Sequence, residues 1–523
     1  MLNSIDIVSS LNARYSQARE LKTNAVTKTA INQNKQELQS IPLATYQAYA
    51  LTNGISFRGK LVNKQSLKGF SQEFRMPVTN KTQFKNFDNV LEHYSDGMKV
   101  VISNFKNRMN KEGQFLKWVE LPKNQMKKNE NGISHLDEIV AQADELRSRK
   151  NPDGSERSLV VLGIGGSKHT AEFLASMAGV GNIGKLHFYS DIDPVSFKNF
   201  IKETGDNVKG LNFLVVSKSG TTFETADAFK KFENALTKAY KADGLSQKKA
   251  ELKAQEHFAI CTDATATEKN MRGKIGSVNG LDNNYIKELY IHDDVGGRYS
   301  MFDDPSLFAL SYAGVSKDYI TKVLKGADRV SKLALNEDVK NNPAAQGAIF
   351  NTFSRDNGYN LVQHNFYGGL FKLGAENWTK QLYLESLKDF DYAVGKAPDS
   401  MHYATEGQFK PSNRDKYNTV MTIMDPEISQ NYKRYTGALA ATYNETTTLL
   451  LETLKLDGER IKPEAIGEYI QNTHFKTVFE GMLRRQVAGI ITLDVLPEVL
   501  QPSVEAYKNK FKPGSPFELK AGE

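Results

Sequence analysis

Short apolar segments alternate with helical segments from Ser158 to residue 291, and this alternation limits the fold more than any other feature of the 523-residue sequence. The first apolar segment reads S-L-V-V-L, and the third, L-N-F-L-V-V, precedes a loop and a predicted helix at 224–240. Short apolar strands that alternate with helices are typical of a parallel sheet covered on both faces. The sequence therefore predicts an α/β fold that binds its ligand in the loops after the strands.

A second α/β unit is predicted to begin near Lys317. It comprises a helix at 317–332, a strand N-L-V-Q-H-N-F, a long helix from about Gly369 to Ser386 and a strand at 417–424. Two successive units of this kind predict two domains, each with a parallel sheet flanked by helices.

The N-terminal part of the chain has a different pattern. Its apolar residues follow mostly helical spacing, with no strong strand run before V-V-I-S near Val100. The chain is therefore predicted to contain four parts, which are a mainly helical segment at 1–110, α/β domains at 111–316 and 317–495, and a C-terminal helix and tail at 496–523.

Composition and charge exclude several classes of protein. Lys and Arg number 68 against 61 Asp and Glu, and the two signs are interspersed, which argues against a nucleic-acid patch but suits anionic small molecules. The only cysteine, Cys261, lies in an apolar run, as expected in a reducing compartment. No stretch approaches the roughly 20 apolar residues that span a bilayer, and the N-terminus lacks a signal-peptide pattern. We expect a cytoplasmic protein that binds neither nucleic acid nor a membrane.

Two loops after predicted strands could bind an anion. In G-I-G-G-S, at 163–167, glycines let a ligand approach the backbone and helix-start N–H groups favour an anion, although a tight turn explains the motif equally well. The loop S-K-S-G-T-T combines one ammonium with four hydroxyls, of which a simple helix cap uses one. This favours a phosphate group, and the lack of a nucleotide-binding motif favours a phosphorylated metabolite. The side chains are those of Ser217, Lys218, Ser219, Thr221 and Thr222.

Two further motifs contain one candidate charged residue each, Arg298 and Glu385. In D-D-V-G-G-R-Y-S, Arg298 could form a surface salt bridge to Asp293 or Asp294, or could stabilise developing negative charge. Gln381 and Glu385 are four residues apart and share one face of a predicted helix. Glu385 is either a solvated helix residue or, if that face lines a pocket, a general base.

The histidines differ in their surroundings. His402 lies in the polar loop D-S-M-H-Y-A-T-E-G-Q, whereas His187, His257 and His364 fall in apolar strands and are expected in the core. The sequence contains neither H-E-x-x-H nor C-x-x-C, so no protein-built transition-metal site is predicted.

Taken in order along the chain, six motifs resemble those of the glucose-6-phosphate isomerase family in its compact bacterial form. They are G-I-G-G-S, S-K-S-G-T-T-x-E, D-D-V-G-G-R-Y-S, W-x-K-Q-L-x-x-E-S, a D-x-x-H…G-Q loop and Q-P-x-V-E-A-Y-K. The last motif alone would indicate only a solvated amphipathic helix. The resemblance extends from about residue 158 to residue 511. It implies two sugar-isomerase (SIS) domains, each a parallel sheet flanked by helices.

The resemblance also implies an activity, a partner and a set of site residues. Members of the family interconvert glucose 6-phosphate and fructose 6-phosphate in glycolysis and gluconeogenesis, without a cofactor or metal. They act as homodimers in which the neighbouring subunit supplies the active-site histidine. The implied catalytic residues are Glu385, Arg298, His402 and Lys508, and the implied substrate-binding residues are Gly166, Ser167, Ser217, Lys218, Ser219, Thr221, Thr222, Gln381 and Gln501.

The chemistry of aldose–ketose isomerisation explains these residue types. One carboxylate, Glu385, would move a proton between C2 and C1, while Arg298 stabilises the cis-enediolate. Ring opening requires proton transfer between two oxygens, which His402 and Lys508 would carry out. The two glutamines would position the sugar.

Three segments depart from the family pattern. Residues 387–389 replace the usual glycine and lysine after E-S, and Met301 to Pro305 include two acids where small or apolar residues are usual. The loop after His402 is longer than usual. These differences leave two alternatives to a strict isomerase, which are an enzyme that also accepts mannose 6-phosphate and a non-catalytic phosphosugar sensor.

Overall fold

The computed structural model describes residues 59–77, 86–180, 185–205, 207–218, 220, 222–263, 285–292, 294–388, 392–396, 408 and 416–487. The predictions that concern residues 1–58, Ser219, Thr221, His402, Gln501, Lys508 and the tail at 496–523 lie outside these residues.

The strands, in chain order, are β1 (Gly59–Ser66), β2 (Phe70–Pro77), β3 (Ser158–Leu162), β4 (Leu186–Tyr189), β5 (Leu211–Val216), β6 (Phe258–Thr262), β7 (Ile286–Tyr290), β8 (Leu361–Tyr367), β9 (Tyr392–Lys396), β10 (Tyr417–Met424), β11 (Thr448–Leu454), β12 (Leu456–Asp457) and β13 (Arg460–Ile461). The α-helices are α1 (Phe87–Arg108), α2 (Leu121–Gln125), α3 (His135–Ser148), α4 (Gly166–Met177), α5 (Pro194–Glu203), α6 (Phe223–Ala242), α7 (Gln247–Gln255), α8 (Asp304–Tyr312), α9 (Lys317–Ala334), α10 (Pro343–Asp356), α11 (Ala375–Leu387), α12 (Gln430–Thr446) and α13 (Pro463–Val487). Short 3₁₀ turns include Gly297–Tyr299.

The first sheet is parallel throughout, with strand order β4-β3-β5-β6-β7. Its central strand β5 is buried at all six positions, as an apolar strand covered on both faces must be. This confirms the parallel sheet predicted from the alternating pattern. The chain leaves β3 for β4 on one side and then crosses to β5 on the other, so the order reverses between β3 and β5. Ligands bind at such a reversal in open α/β sheets.

The second sheet is mixed, with strand order β1-β2-β11-β10-β8-β9. Strands β8 to β11 are parallel, but β2 runs antiparallel to β11 and β1 antiparallel to β2. The strands of the predicted second domain, β8 to β11, are parallel as expected, but the sheet as a whole is mixed, because residues 59–77 add two antiparallel strands. The physical reason is that an N-terminal hairpin, and not a helix-connected strand, completes this edge.

The prediction of a mainly helical N-terminal segment is wrong for 59–77, which forms that hairpin. Strand β2 alternates buried and half-buried residues, as a strand with one covered face does. The V-V-I-S segment near Val100 is helical, because Val101 and Ile102 continue an apolar stripe with Met98 and Phe105 on α1. The domain boundaries at 110, 316 and 495 remain predictions; β3 to β7 lie between the first two and β8 to β11 between the last two.

Helix α13 forms the centre of the molecule. It packs against α1, α9, α10 and α11, and almost all of it from Ala465 to Leu483 is buried. Two of its buried charged side chains form ion pairs, Lys476 with Glu452 and Glu468 with Arg329. The helix thereby connects the second sheet with α11, which carries two of the predicted site residues.

The three strand-region histidines were expected in the core, and two of them are fully buried. His257 and His364 have no exposed surface, whereas His187 is half-buried. His257 bonds the carbonyl of Leu211 at 2.6 Å and the hydroxyl of Tyr240 at 2.7 Å. Burial lowers the pKa of His257 to about 3, so this ring is a neutral core residue.

Candidate active site

The two predicted anion-binding loops lie side by side where the first sheet reverses its order. Strands β3 and β5 are neighbours with Leu162 opposite Val215, so the loops that leave their carboxyl ends are adjacent. The loop after β3 begins α4 at Gly166, and the loop after β5 begins α6 after Thr222. The fold therefore gives both loops the position at which ligands bind in sheets of this kind.

Glycines allow a third loop to approach the first. A Cβ atom added to Gly166 would lie 2.1 Å from the carbonyl carbon of Gly297, a separation that no side chain can occupy. Gly165 has a positive φ of 53°, and a Cβ there would lie 3.0 Å from Nε2 of Gln381. Glycine is thus required at 166 by close backbone approach and at 165 by its conformation.

Gly166→Ala is expected to destabilise the protein by at least about 2 kcal/mol and to lower kcat/KM, because the added methyl group must push the loops at 166 and 297 apart. Gly437→Ala serves as the control. Gly437 is an exposed residue within α12 with no atom within 4 Å of its added Cβ, so alanine should stabilise the helix by about 0.5–1 kcal/mol. Urea denaturation of both variants measures these opposite effects. Equal stability of the two variants would contradict the close approach.

The loop after β5 presents a buried hydroxyl that no described residue bonds. Ser217 is buried, and its hydroxyl has no hydrogen-bond partner among the described residues. Thr222 is the N-cap of α6, yet its side chain makes no capping bond. The Lys218 ammonium lies 3.4 Å from the carbonyl oxygen of His292. A buried hydroxyl without a partner is costly, and a bound anion would satisfy it.

A small cavity of about 70 Å³ adjoins this loop. Its wall contains Ser167 from the first loop, Lys218 from the second and Gly297 from the third. Ser300 and Asp303 complete the polar part of the wall. The three predicted loops therefore contribute to one cavity.

Arg298 is buried beside this cavity, with a side chain that is 1% exposed. Its Nε donates to Oγ of Ser386 at 2.8 Å and its Nη1 donates to Oε2 of Glu385 at 3.0 Å. Its backbone carbonyl accepts a bond from the indole of Trp378 at 3.0 Å. Helix α11 thus fixes the arginine at three points, so the alternative of a surface salt bridge does not apply.

Glu385 is held between two donors. One carboxylate oxygen accepts from Arg298, and the other accepts from Nε2 of Gln381 at 3.1 Å. The predicted shared face of Gln381 and Glu385 is confirmed by this contact. The Glu385 side chain remains 36% exposed, so a ligand can reach the oriented carboxylate.

Aromatic residues support Arg298 from behind. Tyr299 stacks on Trp118 with ring centroids 5.1 Å apart, and its hydroxyl lies 2.9 Å from Oγ of Ser386. His474 of α13 packs against both tryptophans, Trp118 and Trp378. Burial lowers the pKa of His474 to about 3, so the ring is neutral and adds no positive charge beside the guanidinium.

The structure brings together the predicted residues that it describes, by direct contact or through the shared cavity and its loops. They are Gly166, Ser167, Ser217, Lys218, Thr222, Arg298, Gln381 and Glu385. Sequence reasoning missed Ser386, which anchors Arg298 and stands beside Glu385 in the same motif. It also missed Ser300 and Asp303, although Asp303 lies in the 301–305 segment that departs from the family pattern.

Comparisons with known proteins agree with this architecture. The model of the phosphoglucose isomerase family matches residues 124–364. The glucose-6-phosphate isomerase of Caldanaerobacter subterraneus subsp. tengcongensis is 29% identical over 60% of this chain and 64% of its own length, and that of Staphylococcus haemolyticus is 29% identical over 60% and 65%. The one from Staphylococcus saprophyticus is 26% identical over 80% and 91%. This chain thus spans just under two thirds of the first two relatives.

Solved structures share the fold. A glucose-6-phosphate isomerase from Chlamydia trachomatis superposes with a TM-score of 0.60 at 15% identity, covering 87% of this chain and 92% of that one. A hypothetical protein from Thermus thermophilus gives 0.56 at 18% identity, covering 76% and 91%. The chain therefore has an α/β fold with helix-flanked sheets that it shares with these two structures. Over residues 124–364 the chain is similar to the phosphoglucose isomerase family.

No helix in the described part of the chain combines the length and apolar character needed to cross a membrane.

Proposed function

We propose that this protein interconverts D-glucose 6-phosphate and D-fructose 6-phosphate through a cis-enediolate. The observation that carries the proposal is the Glu385 carboxylate, held between buried Arg298 at 3.0 Å and Gln381 at 3.1 Å. Arg298 directly follows Gly297, which lines a cavity together with the predicted phosphate loops. The similarity of residues 124–364 to the phosphoglucose isomerase family supports the proposal. The enzyme would act in the cytoplasm, in glycolysis and gluconeogenesis.

Phosphate binding comes first in the proposed mechanism. The Ser217 hydroxyl, which lacks a partner among the described residues, and the Lys218 ammonium would bind the phosphate with Ser167 and Thr222. The N–H groups at the start of α4, next to Gly166, add a positive dipole end. Ser219 and Thr221 complete the same loop in sequence. Binding of the phosphate group positions the reacting carbons of the substrate relative to Glu385 and Arg298.

Proton transfer follows ring opening. Glu385 takes the proton from C2 of the open-chain aldose, and the electron pair moves to the carbonyl oxygen to give the enediolate. The Arg298 guanidinium stabilises this oxyanion but holds its own protons too strongly to donate one readily. A proton then moves from O2 to O1 of the enediolate, and Glu385 returns the proton taken from C2 to C1 while the electron pair left on O2 forms the carbonyl of the ketose. Atoms and charge balance without a cofactor.

Ring opening would use His402 and Lys508, and Gln501 would position the sugar with Gln381. The neighbouring subunit of a homodimer would supply His402, so that each site is complete only in the dimer. These assignments follow the family motifs in the sequence.

The direct test is conversion of fructose 6-phosphate by the full chain, coupled to a glucose-6-phosphate dehydrogenase, in parallel with mannose 6-phosphate as substrate. We expect turnover between glucose and fructose 6-phosphates, which needs one proton shuttle between C1 and C2. Turnover of mannose 6-phosphate as well would widen the specificity. Binding of sugar phosphate without any turnover would instead favour a non-catalytic phosphosugar sensor and overturn the isomerase.

A further inference from the structure

A cluster of two imidazoles and a carboxylate lies outside the proposed proton-transfer site. It comprises His135 at the start of α3, His292 just after β7 and Asp304 at the start of α8. One potential ligand atom from each residue lies within 4.8 Å of the other two. The cluster therefore joins three elements that are far apart in sequence.

Two further carboxylates orient the imidazole rings. Nδ1 of His135 lies 2.9 Å from Oε2 of Glu138, and Nδ1 of His292 lies 2.6 Å from Oδ1 of Asp303. A carboxylate that accepts from Nδ1 leaves Nε2 as the nitrogen that can bind a metal ion. Histidines that bind metals in proteins are oriented in this way.

The spacing within the cluster fits a small divalent ion. Nε2 of His135 lies 3.0 Å from both carboxylate oxygens of Asp304. Ligand atoms at about 2.1 Å from a common metal ion are roughly 3.0–3.4 Å apart, depending on geometry. His292 is 35% exposed, so its ring has room to complete the set.

Charge also favours a cation at this position. Asp303 and Asp304 are fully buried, and the two imidazoles are their only ion-pair partners among the described residues. Buried carboxylates require compensating positive charge.

We propose that His135, His292 and Asp304 bind one divalent transition-metal ion, with Zn²⁺ as the first candidate because imidazole and carboxylate ligands suit it. The ion would act as a structural brace. The backbone carbonyl of His292 accepts a hydrogen bond from Lys218 of the phosphate loop, and Asp303 lines the cavity. The metal ion would therefore hold in place the residues against which the phosphate loop packs. This inference does not depend on the proposed isomerase activity.

The experiment measures Zn²⁺ binding to the tag-free full chain by equilibrium dialysis with elemental analysis, after removal of metals by a chelator. Wild type is expected to bind about one Zn²⁺ per chain with a Kd of about 1 µM or tighter. Binding should raise the Tm by about 3 °C or more when Zn²⁺ exceeds the Kd a hundredfold. His135→Gln and His292→Gln should each weaken binding at least about 100-fold.

Two further variants keep the test decisive. His93→Gln removes an exposed histidine on α1, away from the cluster, and should leave Zn²⁺ binding unchanged. Glu138→Gln alters only an exposed partner of His135, and should weaken binding about 10-fold even if the histidine variants fold poorly. Wild-type binding weaker than about 10 µM would overturn the proposal. So would binding that is unchanged in the His135, His292 and Glu138 variants.

Discussion

Glu385→Gln is expected to lower kcat for the conversion of fructose 6-phosphate by at least about 10³-fold and to leave KM within about threefold. Glutamine has the size of glutamate, and its carbonyl oxygen can still accept a bond from Arg298 or Gln381, so the site keeps its shape. The amide cannot take up a proton, and general bases typically contribute 10²- to 10⁴-fold. The coupled dehydrogenase assay measures both constants.

The matched control is Glu376→Gln on the same helix. Glu376 is a partly exposed residue in the first turn of α11 that pairs with Lys380, and a pair of this kind contributes little. Its kcat should stay within about twofold of wild type. If Glu385→Gln loses less than tenfold, the proton is transferred by a different group.

The same variant tests whether the subunits share sites. Coexpression of Glu385→Gln with His402→Gln, each inactive alone, should restore about a quarter of wild-type activity. Half of the randomly assembled dimers are then mixed, and each mixed dimer has one intact site. Activity that stays at the level of the single variants would contradict a shared site.

Arg298→Lys is expected to lower kcat by about 10²- to 10³-fold, the usual loss when a group that stabilises an oxyanion is removed. Lysine keeps the charge, but its single ammonium cannot reproduce both the Nε bond to Ser386 and the Nη1 bond to Glu385. The charge would therefore be misplaced relative to the carbonyl oxygen of the substrate.

Measurements of ligand affinity show whether Arg298 stabilises the intermediate or only binds the substrate. Affinity for a sugar-phosphate hydroxamate that mimics the enediolate should fall in proportion to kcat/KM, whereas affinity for fructose 6-phosphate should change much less. Arg329→Lys, at an arginine paired with Glu468 on α13, is the control and should leave kcat unchanged. An equal loss of affinity for both ligands would assign Arg298 to substrate binding alone.

The sequence was most informative where local pattern decides structure. The run L-N-F-L-V-V is apolar at almost every position, and β5 is indeed buried on both faces. Strand β1, G-K-L-V-N-K-Q-S, carries few apolar residues and has no comparable signal. It becomes a strand because β2 pairs with it and with β11, a tertiary contact that local propensity does not encode.

In the candidate active site, too, local motifs were predictable from the sequence, whereas contacts between distant residues were not. The motifs identified Arg298 and Glu385 as single residues, but their separation of 87 positions along the chain hid the ion pair that joins them. Ser386 could have been found, because it stands next to Glu385 in a recognised motif. The His135, His292 and Asp304 cluster had no sequence signal, since its ligands come from the ends of three elements at irregular spacing.

The pairing of β2 with β11 has a consequence for biosynthesis. Phe74 lies opposite Leu450, so β2 leaves the ribosome about 370 residues before its partner strand exists. At typical elongation rates this interval lasts roughly 20–75 s. During that time the hairpin exposes a strand edge of the kind that nascent chains aggregate through. The second half of the molecule must therefore fold after translation is nearly complete, with the early hairpin shielded until β11 arrives.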